Sequence, residues 1–244
     1  MDYSRFFTTT ENISNGKFLL ENLQDIKKIR KVLRLGLQDK IILLDNTNKE
    51  YLCEIEEITK QSISGTILEE RSLVGSSTSK IAITLAQGLP KAAKMDDVIR
   101  MNTELGIKQF IPFESKYSVV RLSNFNSKKL ARWEKIAKSA SEQSERNEIP
   151  PILAPINFQD LVNLEYDVKI LLHSRKLDDS RNIVEIKGDL TDSSNVILAV
   201  GPEGGFSDEE VSQAKQAGWE IVWMDLPILR TQTAGVVACG FFLL

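Results

Sequence analysis

Cysteine and histidine are scarce in this chain, which has two cysteines and one histidine among 244 residues. Cys53 and Cys239 lie far apart, so a disulfide framework or a structural zinc site is not expected. A single histidine also argues against the histidine-rich sites of catalytic metals. We therefore expect a protein that uses no bound metal ion.

Long apolar runs are absent as well. No run reaches the roughly 18 residues of a membrane span, and the first residues lack the basic flank and apolar segment of a secretory signal. The hydrophobic fraction of 42% and the charged fraction of 27% are near those of globular proteins. The expectation is a cytoplasmic protein of one large domain or two modest ones, with no membrane partner.

Charge is distributed unevenly along the chain. Residues 1–72 contain 11 Lys and Arg against 12 Asp and Glu, residues 73–150 contain 13 against 8, and residues 151–244 contain 7 against 14. The formal net charge of -3 therefore does not exclude a polyanionic partner, because binding depends on the local field. A set of solvated helix faces explains the same distribution.

The first 70 residues predict a small, strand-rich region. The apolar run Ile41–Leu44, a polar turn at 45–48 and the alternating segment Tyr51–Ile58 indicate a hairpin, in which Ile58 is one step out of phase. Gln24–Leu35 predicts a short amphipathic helix with five cations, suited to a phosphate backbone or simply to solvent. The polar stretch 74–80 is the best candidate for a linker to a second domain.

Beyond residue 80, strands alternate with helices. This spacing is typical of an α/β domain with a mainly parallel sheet. The predicted strands are 81–87, 107–112, 168–172, 196–200 and 220–224, and the predicted helices are 92–105, 127–144, 207–217 and one from about 229.

Three loops follow predicted strands, at the edge where open α/β sheets bind ligands. The first, Gly201–Phe206, is rich in glycine and precedes Ser207 and Glu210, which match a capping box. It contains neither the dinucleotide G-x-G-x-x-G pattern nor a phosphate-binding P-loop, and an ordinary tight turn remains an alternative.

The second loop, Met224–Ala234, combines apolar residues suited to a flat ring with Arg230, predicted in the first turn of the last helix. A cation there opposes the helix dipole, which is tolerable if Arg230 binds an anion or is exposed. The third loop contains His173, for which a structural or surface role is the more common one, so no proton transfer is assigned to it.

Several separated segments together resemble the ribosomal small-subunit methyltransferase E family, a SPOUT-class family that uses S-adenosylmethionine to methylate N3 of a uridine in 16S rRNA. The matching segments are Arg5–Phe7, Lys31–Leu35, Leu89–Lys91, Thr103–Ile107, Ser118–Arg121, Arg132–Trp133, Ala140 with Glu142–Ser144 and Arg146, Gly201–Phe206, and Ile228–Thr231 with Thr233–Ala234.

The resemblance implies a PUA-like, RNA-binding β-barrel over residues 1–72 and an α/β SPOUT methyltransferase domain over 73–244 with a C-terminal trefoil knot. It also implies a homodimer that acts on 16S rRNA or the assembled small subunit. Arg230 would be catalytic. The implied cofactor-binding residues are Leu172, Val200, Gly201, Glu203, Gly204, Met224, Leu226, Leu229 and Thr233. The implied RNA-binding residues are Arg5, Lys31, Arg34, Lys91, Arg121, Arg132 and Arg146.

The chain departs from the family's usual residues at Met101, Asn102, Tyr117, Asp225, Pro227 and Gln232. The missing cations bear on RNA contacts more than on the cofactor. Two other functions stay open at this point, a non-catalytic RNA-binding ribosome-assembly protein that retains the fold, and a small-molecule enzyme that uses the glycine loop for a nucleotide. No residue identifies itself as the general base.

Overall fold

The computed structural model describes residues 3–47, 49–72, 81–91, 93–191 and 194–244. It divides into two compact units, Met1–Ser76 with Ser141–Ile149, and Ser77–Ala140 with Pro150–Leu244. The expected linker at 74–80 lies outside the described residues. The domain boundary predicted at residue 72 would place residues 141–149 in the second domain. In the structure this segment belongs to the first unit.

The first unit contains a six-stranded mixed sheet. Its strands are β1 (Arg5–Phe7), β2 (Ile13–Ser14), β3 (Lys17–Leu20), β4 (Lys40–Leu44), β5 (Lys49–Ile58) and β6 (Ile63–Ser72), in the order β1-β4-β5-β6-β3-β2. Strand β1 runs parallel to β4, and the other pairs are antiparallel. Phe6, Phe18, Ile41, Ile55 and Ile63 are fully or almost fully buried in its core.

The predicted hairpin is confirmed as β4 and β5. Strand β5 also pairs with β6, and the register of that pair shifts between Ile55 and Glu57. An extra residue in one strand reverses the face on which the following side chains lie. This irregularity explains why Ile58 is out of phase with Tyr51, Cys53 and Ile55.

The predicted basic helix is present but changes type. Asn22 caps α1 (Leu23–Lys27) by accepting hydrogen bonds from the N–H groups of Gln24 and Asp25. A π-helical segment, Lys28–Leu33, follows and ends at Arg34, whose φ is 57°. The helix therefore stops before Leu35, and its apolar spacing alone does not distinguish α from π geometry.

The second unit is built on seven parallel strands. They are β7 (Ala82–Gly88), β8 (Gln109–Glu114), β9 (Ile156–Asn157), β10 (Val168–Leu172), β11 (Arg181–Asn182), β12 (Asn195–Val200) and β13 (Glu220–Trp223). Their order is β11-β13-β10-β12-β7-β8-β9, and every pair is parallel. The predicted α/β class and parallel sheet are confirmed.

Among the described residues of this unit, five α-helices lie wholly in it and a sixth begins in it. They are α2 (Lys94–Leu105), α3 (Ser127–Gln143, with its last three residues in the first unit), α4 (Phe158–Val162), α5 (Ile183–Asp189), α6 (Asp208–Gln216) and α7 (Thr231–Leu243). Short 3₁₀ segments occur at Thr10–Asn12 and Leu122–Asn124. Gly106 ends α2 with a φ of 103°, as the sequence predicts.

The sheet of the second unit is covered on both faces. Residues of α4 and α6 share a core with Ala86 of β7, whereas α7 packs on α2 and contacts β7 and β12. The neighbouring side chain Leu85 lies close to Gly235 of α7, so the two helical layers lie on opposite faces. In the described part of the chain, no helix has the length and apolar character needed to span a membrane.

Candidate functional site

A cavity of about 440 Å³ opens where β10, β12 and β13 end. These strands are neighbours in the sheet, with Leu172 opposite Val200 on one side and Val222 on the other. The three predicted loops therefore meet at one edge, because parallel strands bring their carboxyl ends together. The volume lies within the range of small-molecule and cofactor sites.

The glycine loop forms one wall of the cavity. The N–H of Gly205, whose φ is 69°, donates to the carbonyl of Pro202 at 2.9 Å. A Cβ at Gly201 would lie 3.1 Å from the Gly205 backbone, and one at Gly204 would lie 2.7 Å from Cβ of Tyr117. Larger residues would therefore displace either the loop or Tyr117.

Glu203 joins this loop to the start of α2. Its carboxylate accepts hydrogen bonds from the Lys91 N–H at 3.1 Å and from Lys94 Nζ at 2.8 Å. Partial burial raises the pKa of Glu203, but hydrogen bonds from Lys94 and from the backbone outweigh it, so that this pKa lies below its ordinary value. Glu203 is thus a carboxylate at neutral pH, and it holds the glycine loop in place.

The loop before α7 forms an apolar wall. Leu226 and Ile228 line the cavity and are 51% and 67% exposed. Large apolar side chains exposed together commonly mark a binding surface. This wall suits a flat, apolar ring of a ligand, as the sequence predicts for the segment.

Arg230 lies at the end of that wall. It is the N-cap residue of α7, with an extended ψ of 151°, and so precedes the helix instead of lying in its first turn. Its side chain lines the cavity, and within the described ranges its guanidinium has no hydrogen-bonding or ionic partner. It is available to bind an anion or a polarised oxygen.

The cavity brings together nearly all of the predicted cofactor-binding residues. Eight of the nine line it, and Thr233 does not, while Thr231 and Ala234 from the same helical turn do. The lining residues that sequence reasoning did not assign are Lys94, His173, Ser174, Pro202, Gly205, Phe206, Pro227, Ile228, Thr231 and Ala234. Most of them neighbour a predicted residue, whereas Lys94 comes from a different segment and gave no local signal.

The predicted RNA-binding cations in the first unit differ in their surroundings. Lys31 and Arg34 are exposed. Arg5 is largely buried and donates to Glu50 at 2.8 Å and to Asn147 at 3.0 Å. Arg146 lies in the 141–149 segment, and burial lowers the pKa of its guanidinium to about 10.

The predicted cations in the second unit are all exposed. Arg121 forms an ion pair with Glu114 at 2.9 Å, and Arg132 forms one with Asp96. Lys91 contributes its backbone N–H to Glu203, which leaves its ammonium free of that contact. The carboxylate partners are only 23% and 21% exposed, whereas the two guanidinium groups remain accessible to solvent.

Comparison with known proteins decides the family. A model described as an RNA methyltransferase domain matches residues 77–243, and one described as an RNA methyltransferase PUA domain matches residues 25–68. This chain belongs to the RNA methyltransferase family. The first match covers the parallel sheet and the cavity, and the second covers β4, β5 and the first part of β6 in the mixed sheet.

Relatives of this RNA methyltransferase include two proteins named ribosomal RNA small subunit methyltransferase E. The protein of Bacillus subtilis (strain 168) is 33% identical over 88% of this chain and 85% of its own length. The protein of Rickettsia conorii is 30% identical over 98% of this chain and 94% of its own length. The resemblance seen in the sequence motifs is confirmed over nearly the whole chain.

Solved structures agree with these relatives. Ribosomal RNA small subunit methyltransferase E from Neisseria gonorrhoeae, bound to S-adenosyl methionine, is similar with a TM-score of 0.84 and 30% identity, covering 98% of this chain and 96% of that one. A putative methyltransferase from Legionella pneumophila, in complex with the same cofactor, has a TM-score of 0.85 and 25% identity, covering 99% and 97%.

Proposed function

We propose that this enzyme transfers a methyl group from S-adenosylmethionine to N3 of a uridine in 16S rRNA of the small ribosomal subunit. The observation that carries the proposal is the cavity at the ends of β10, β12 and β13, where a glycine loop, an apolar wall and the exposed Arg230 meet. Methyltransferases of the same family and fold supply the reaction class.

The residues of the cavity fit S-adenosylmethionine chemically. Leu172, Leu226 and Leu229 offer apolar surface to an adenine ring, and the glycine loop brings backbone groups close to a ligand's polar edge. When bound, the cofactor supplies a methyl group already activated on a sulfonium centre. Eight of the nine proposed cofactor-binding residues line the cavity, and Thr233 has the weakest support because it does not.

The chain's own contribution to the reaction is mainly orientation. Fixing the two reactants in line supplies several kcal/mol of the barrier, and the rigid ends of three neighbouring strands suit that role. The uridine must first leave its stack or come from an unpaired region, because the cavity admits no duplex. Arg230 then lies where its guanidinium stabilises negative charge on the uracil oxygens as N3 loses its proton.

RNA is held, in this proposal, by the exposed cations of both units. Lys31, Arg34, Lys91, Arg121 and Arg132 contact phosphates, which fix position without reading sequence. Arg5 and Arg146 contribute by shaping the first unit, since Arg5 is engaged within that unit and Arg146 is desolvated. Residues 1–72 are the proposed PUA-like barrel and residues 73–244 the proposed SPOUT domain.

The chain path supports the proposed trefoil knot. Strand β13 lies beyond β10, yet α7 returns to contact β7 and β12 in the middle of the sheet. The Thr231 hydroxyl at the start of α7 then donates to the Gly201 carbonyl. A terminal segment that returns in this way beside the cofactor loops suits a threaded chain.

The proposal also includes that the protein acts as a homodimer in the cytoplasm.

Mass-spectrometric mapping of 16S rRNA from a strain that lacks the protein tests the proposed activity. One 3-methyluridine is expected to disappear and to return on complementation with the wild-type chain. Persistence of every 16S rRNA methylation in the deletion strain would rule out the proposed reaction.

The proposed role of Arg230 is tested by Arg230→Ala in single-turnover assays with saturating cofactor. Methyl transfer is expected to fall about 100-fold, while the Kd for S-adenosylmethionine changes far less, because Arg230 acts on the base. Arg230→Lys, which keeps the charge, serves as the matched variant and should retain part of the rate. An unchanged single-turnover rate in Arg230→Ala contradicts the role.

A further inference from the structure

A fully buried glutamine joins the walls of the cofactor cavity without lining it. Gln87 lies next to the end of β7 and is 0% exposed. Its Nε2 donates to Oγ1 of Thr231 at 2.9 Å and to the carbonyl of Gly88 at 3.0 Å. Longer contacts reach the carbonyls of Val200 at 3.3 Å and Gly201 at 3.5 Å.

These hydrogen bonds have a defined direction. The Thr231 hydroxyl donates to the Gly201 carbonyl at 2.5 Å, so its oxygen accepts from Gln87. The backbone carbonyls can only accept, which fixes the amide with Nε2 toward them. A continuous series of hydrogen bonds therefore runs from the Gln87 amide through the Thr231 hydroxyl to the glycine loop.

These hydrogen bonds connect three segments that are far apart in sequence. Val200, Gly201 and Thr231 all line the cavity, and Gln87 reaches them from the neighbouring strand, where it pairs with Val200 in the sheet register. Gln87, which does not itself line the cavity, thus fixes the position of α7 relative to the glycine loop. A displacement of one wall would be transmitted to the other through this amide.

Only one end of the Gln87 amide is satisfied. The Oε1 atom of Gln87 is buried and has no hydrogen-bonding partner within the part of the chain that is described. A buried acceptor without a partner lowers stability and offsets part of what the Nε2 hydrogen bonds contribute. The polar arrangement therefore suits a requirement other than core packing.

We propose that Gln87 is a positioning residue for the cofactor, acting through Thr231 and the Val200–Gly201 backbone. The inference rests on the proposed function of the cavity. Gln87 holds the start of α7 and the glycine loop at the separation that S-adenosylmethionine requires. Its loss weakens cofactor binding and leaves the chemical step at saturating cofactor nearly unchanged.

The test compares Gln87→Met, Thr231→Val and their double variant by calorimetry with S-adenosylmethionine. Each single change is expected to raise the Kd about tenfold or more, as loss of a buried hydrogen bond implies. The double variant should be little worse than either one, because residues of one network are not additive. In steady-state assays the KM for the cofactor rises while kcat stays within about threefold.

Two further variants separate positioning from packing. Thr231→Ser keeps the hydroxyl and should keep near wild-type affinity. Gly235→Ala is the matched control, because its Cβ would lie in ordinary contact, 3.6 Å from Leu85 and 3.8 Å from Gln87, without touching the hydrogen bonds. The affinity of Gly235→Ala for the cofactor should equal that of the wild type. Thermal unfolding curves of the apo proteins should show that every variant is folded at the assay temperature.

The outcomes distinguish this inference from the proposed function. A wild-type chain that does not bind S-adenosylmethionine overturns both. Normal binding by the wild type together with unchanged affinity in Gln87→Met or Thr231→Val overturns the inference alone. An affinity loss that follows the unfolded fraction, or that Thr231→Ser shares with Thr231→Val, also overturns it.

Discussion

Gly88 shows, at the scale of one residue, how closely two strands' ends approach beside the cavity. A Cβ at this position would lie 2.5 Å from Cδ of Pro202 and 2.7 Å from its nitrogen. Both are backbone or ring atoms, which cannot rotate away as a flexible side chain would. The end of β7 and the glycine loop therefore touch without room for a methyl group.

Gly88→Ala is expected to lower the free energy of unfolding by about 1–3 kcal/mol, the usual cost of overpacking. Chemical denaturation measures the change. Gly240→Ala is the matched control, since its Cβ would lie 3.9 Å from the Leu105 side chain and should leave stability unchanged or raise it. Equal stability of Gly88→Ala and the wild type would contradict the close contact.

Glu114 fixes the segment after β8. Its carboxylate accepts from the Leu122 N–H at 2.6 Å and from Arg121 at 2.9 Å. The bond from the Leu122 N–H lowers the pKa of Glu114, and Arg121 lowers it further, against the opposing effect of burial. A carboxyl with a depressed pKa in the folded state stabilises the fold above its unfolded pKa of about 4.3 and loses that effect as the pH falls.

Glu114→Gln should therefore be less stable than the wild type at pH 7, and the difference should shrink as the pH falls through the carboxyl range. Urea denaturation at pH 7 and near pH 3 measures it. Glu134→Gln, an exposed position on α3, provides the control. A difference that grows on acidification would contradict the assigned sign.

Single residues were predictable from sequence where their partners are close along the chain. The loop positions around Gly201, Leu226 and Arg230 follow strands recognisable by their apolar runs, so their meeting at one edge could be predicted. Gln87 gave no such signal, because Val200 and Thr231 are 113 and 144 positions away. Arg5 likewise resembles a free cation until Glu50 and Asn147 are placed beside it.

Helix α6 shows, at the scale of an element, how a local pattern places a site. The Ser207 Oγ accepts from the Glu210 N–H, and the Glu210 carboxylate accepts from the Ser207 N–H, forming the predicted capping box. The same carboxylate accepts from the Lys116 N–H at 2.8 Å. One cap thus ends the glycine loop and holds the loop that carries Tyr117.

Ser207→Ala should lower the free energy of unfolding by about 0.5–2 kcal/mol, the cost of a lost N-cap. Ser212→Ala, an exposed change on the same helix, should have a much smaller effect. Thermal or chemical denaturation compares the two. If both variants unfold alike, the cap does not contribute as described.

Elements were predictable where they are long and regular. Helices α2, α3 and α6 and the central strands match their patterns within a few residues. Strands β2 and β11 contain only two residues each, which is too short to show any period. The π-helical Lys28–Leu33 has the pattern of an ordinary helix, because both geometries place apolar residues on one side.

At the scale of the whole molecule, residues 1–72 are nearly balanced in charge, yet their cations are concentrated in one segment. The α1 and π-helical segment of the first unit exposes Lys27, Arg30, Lys31 and Arg34. If these cations neutralise phosphates, removing one of them should make the dependence of log K on log salt less steep by about 0.7 on single-stranded RNA.

Lys31→Ala and Arg34→Ala should each weaken RNA binding and reduce that slope, whereas Lys60→Ala, an exposed change in a loop of the same unit, should not. Filter binding of 16S rRNA fragments over a range of salt concentrations provides the measurement. Identical slopes in all three variants would exclude this segment from the RNA interface.

The first unit is discontinuous in sequence, since Ser141–Ile149 belongs to it. On the ribosome, its β-strands emerge first, but Asn147, which completes the surroundings of Arg5 and Glu50, comes after the whole of Ser77–Ala140. At about 5–20 residues per second, that stretch delays it by roughly 3 to 13 seconds. The nascent first unit must therefore wait, with a charged pair incompletely bonded, until a large part of the second unit has been made.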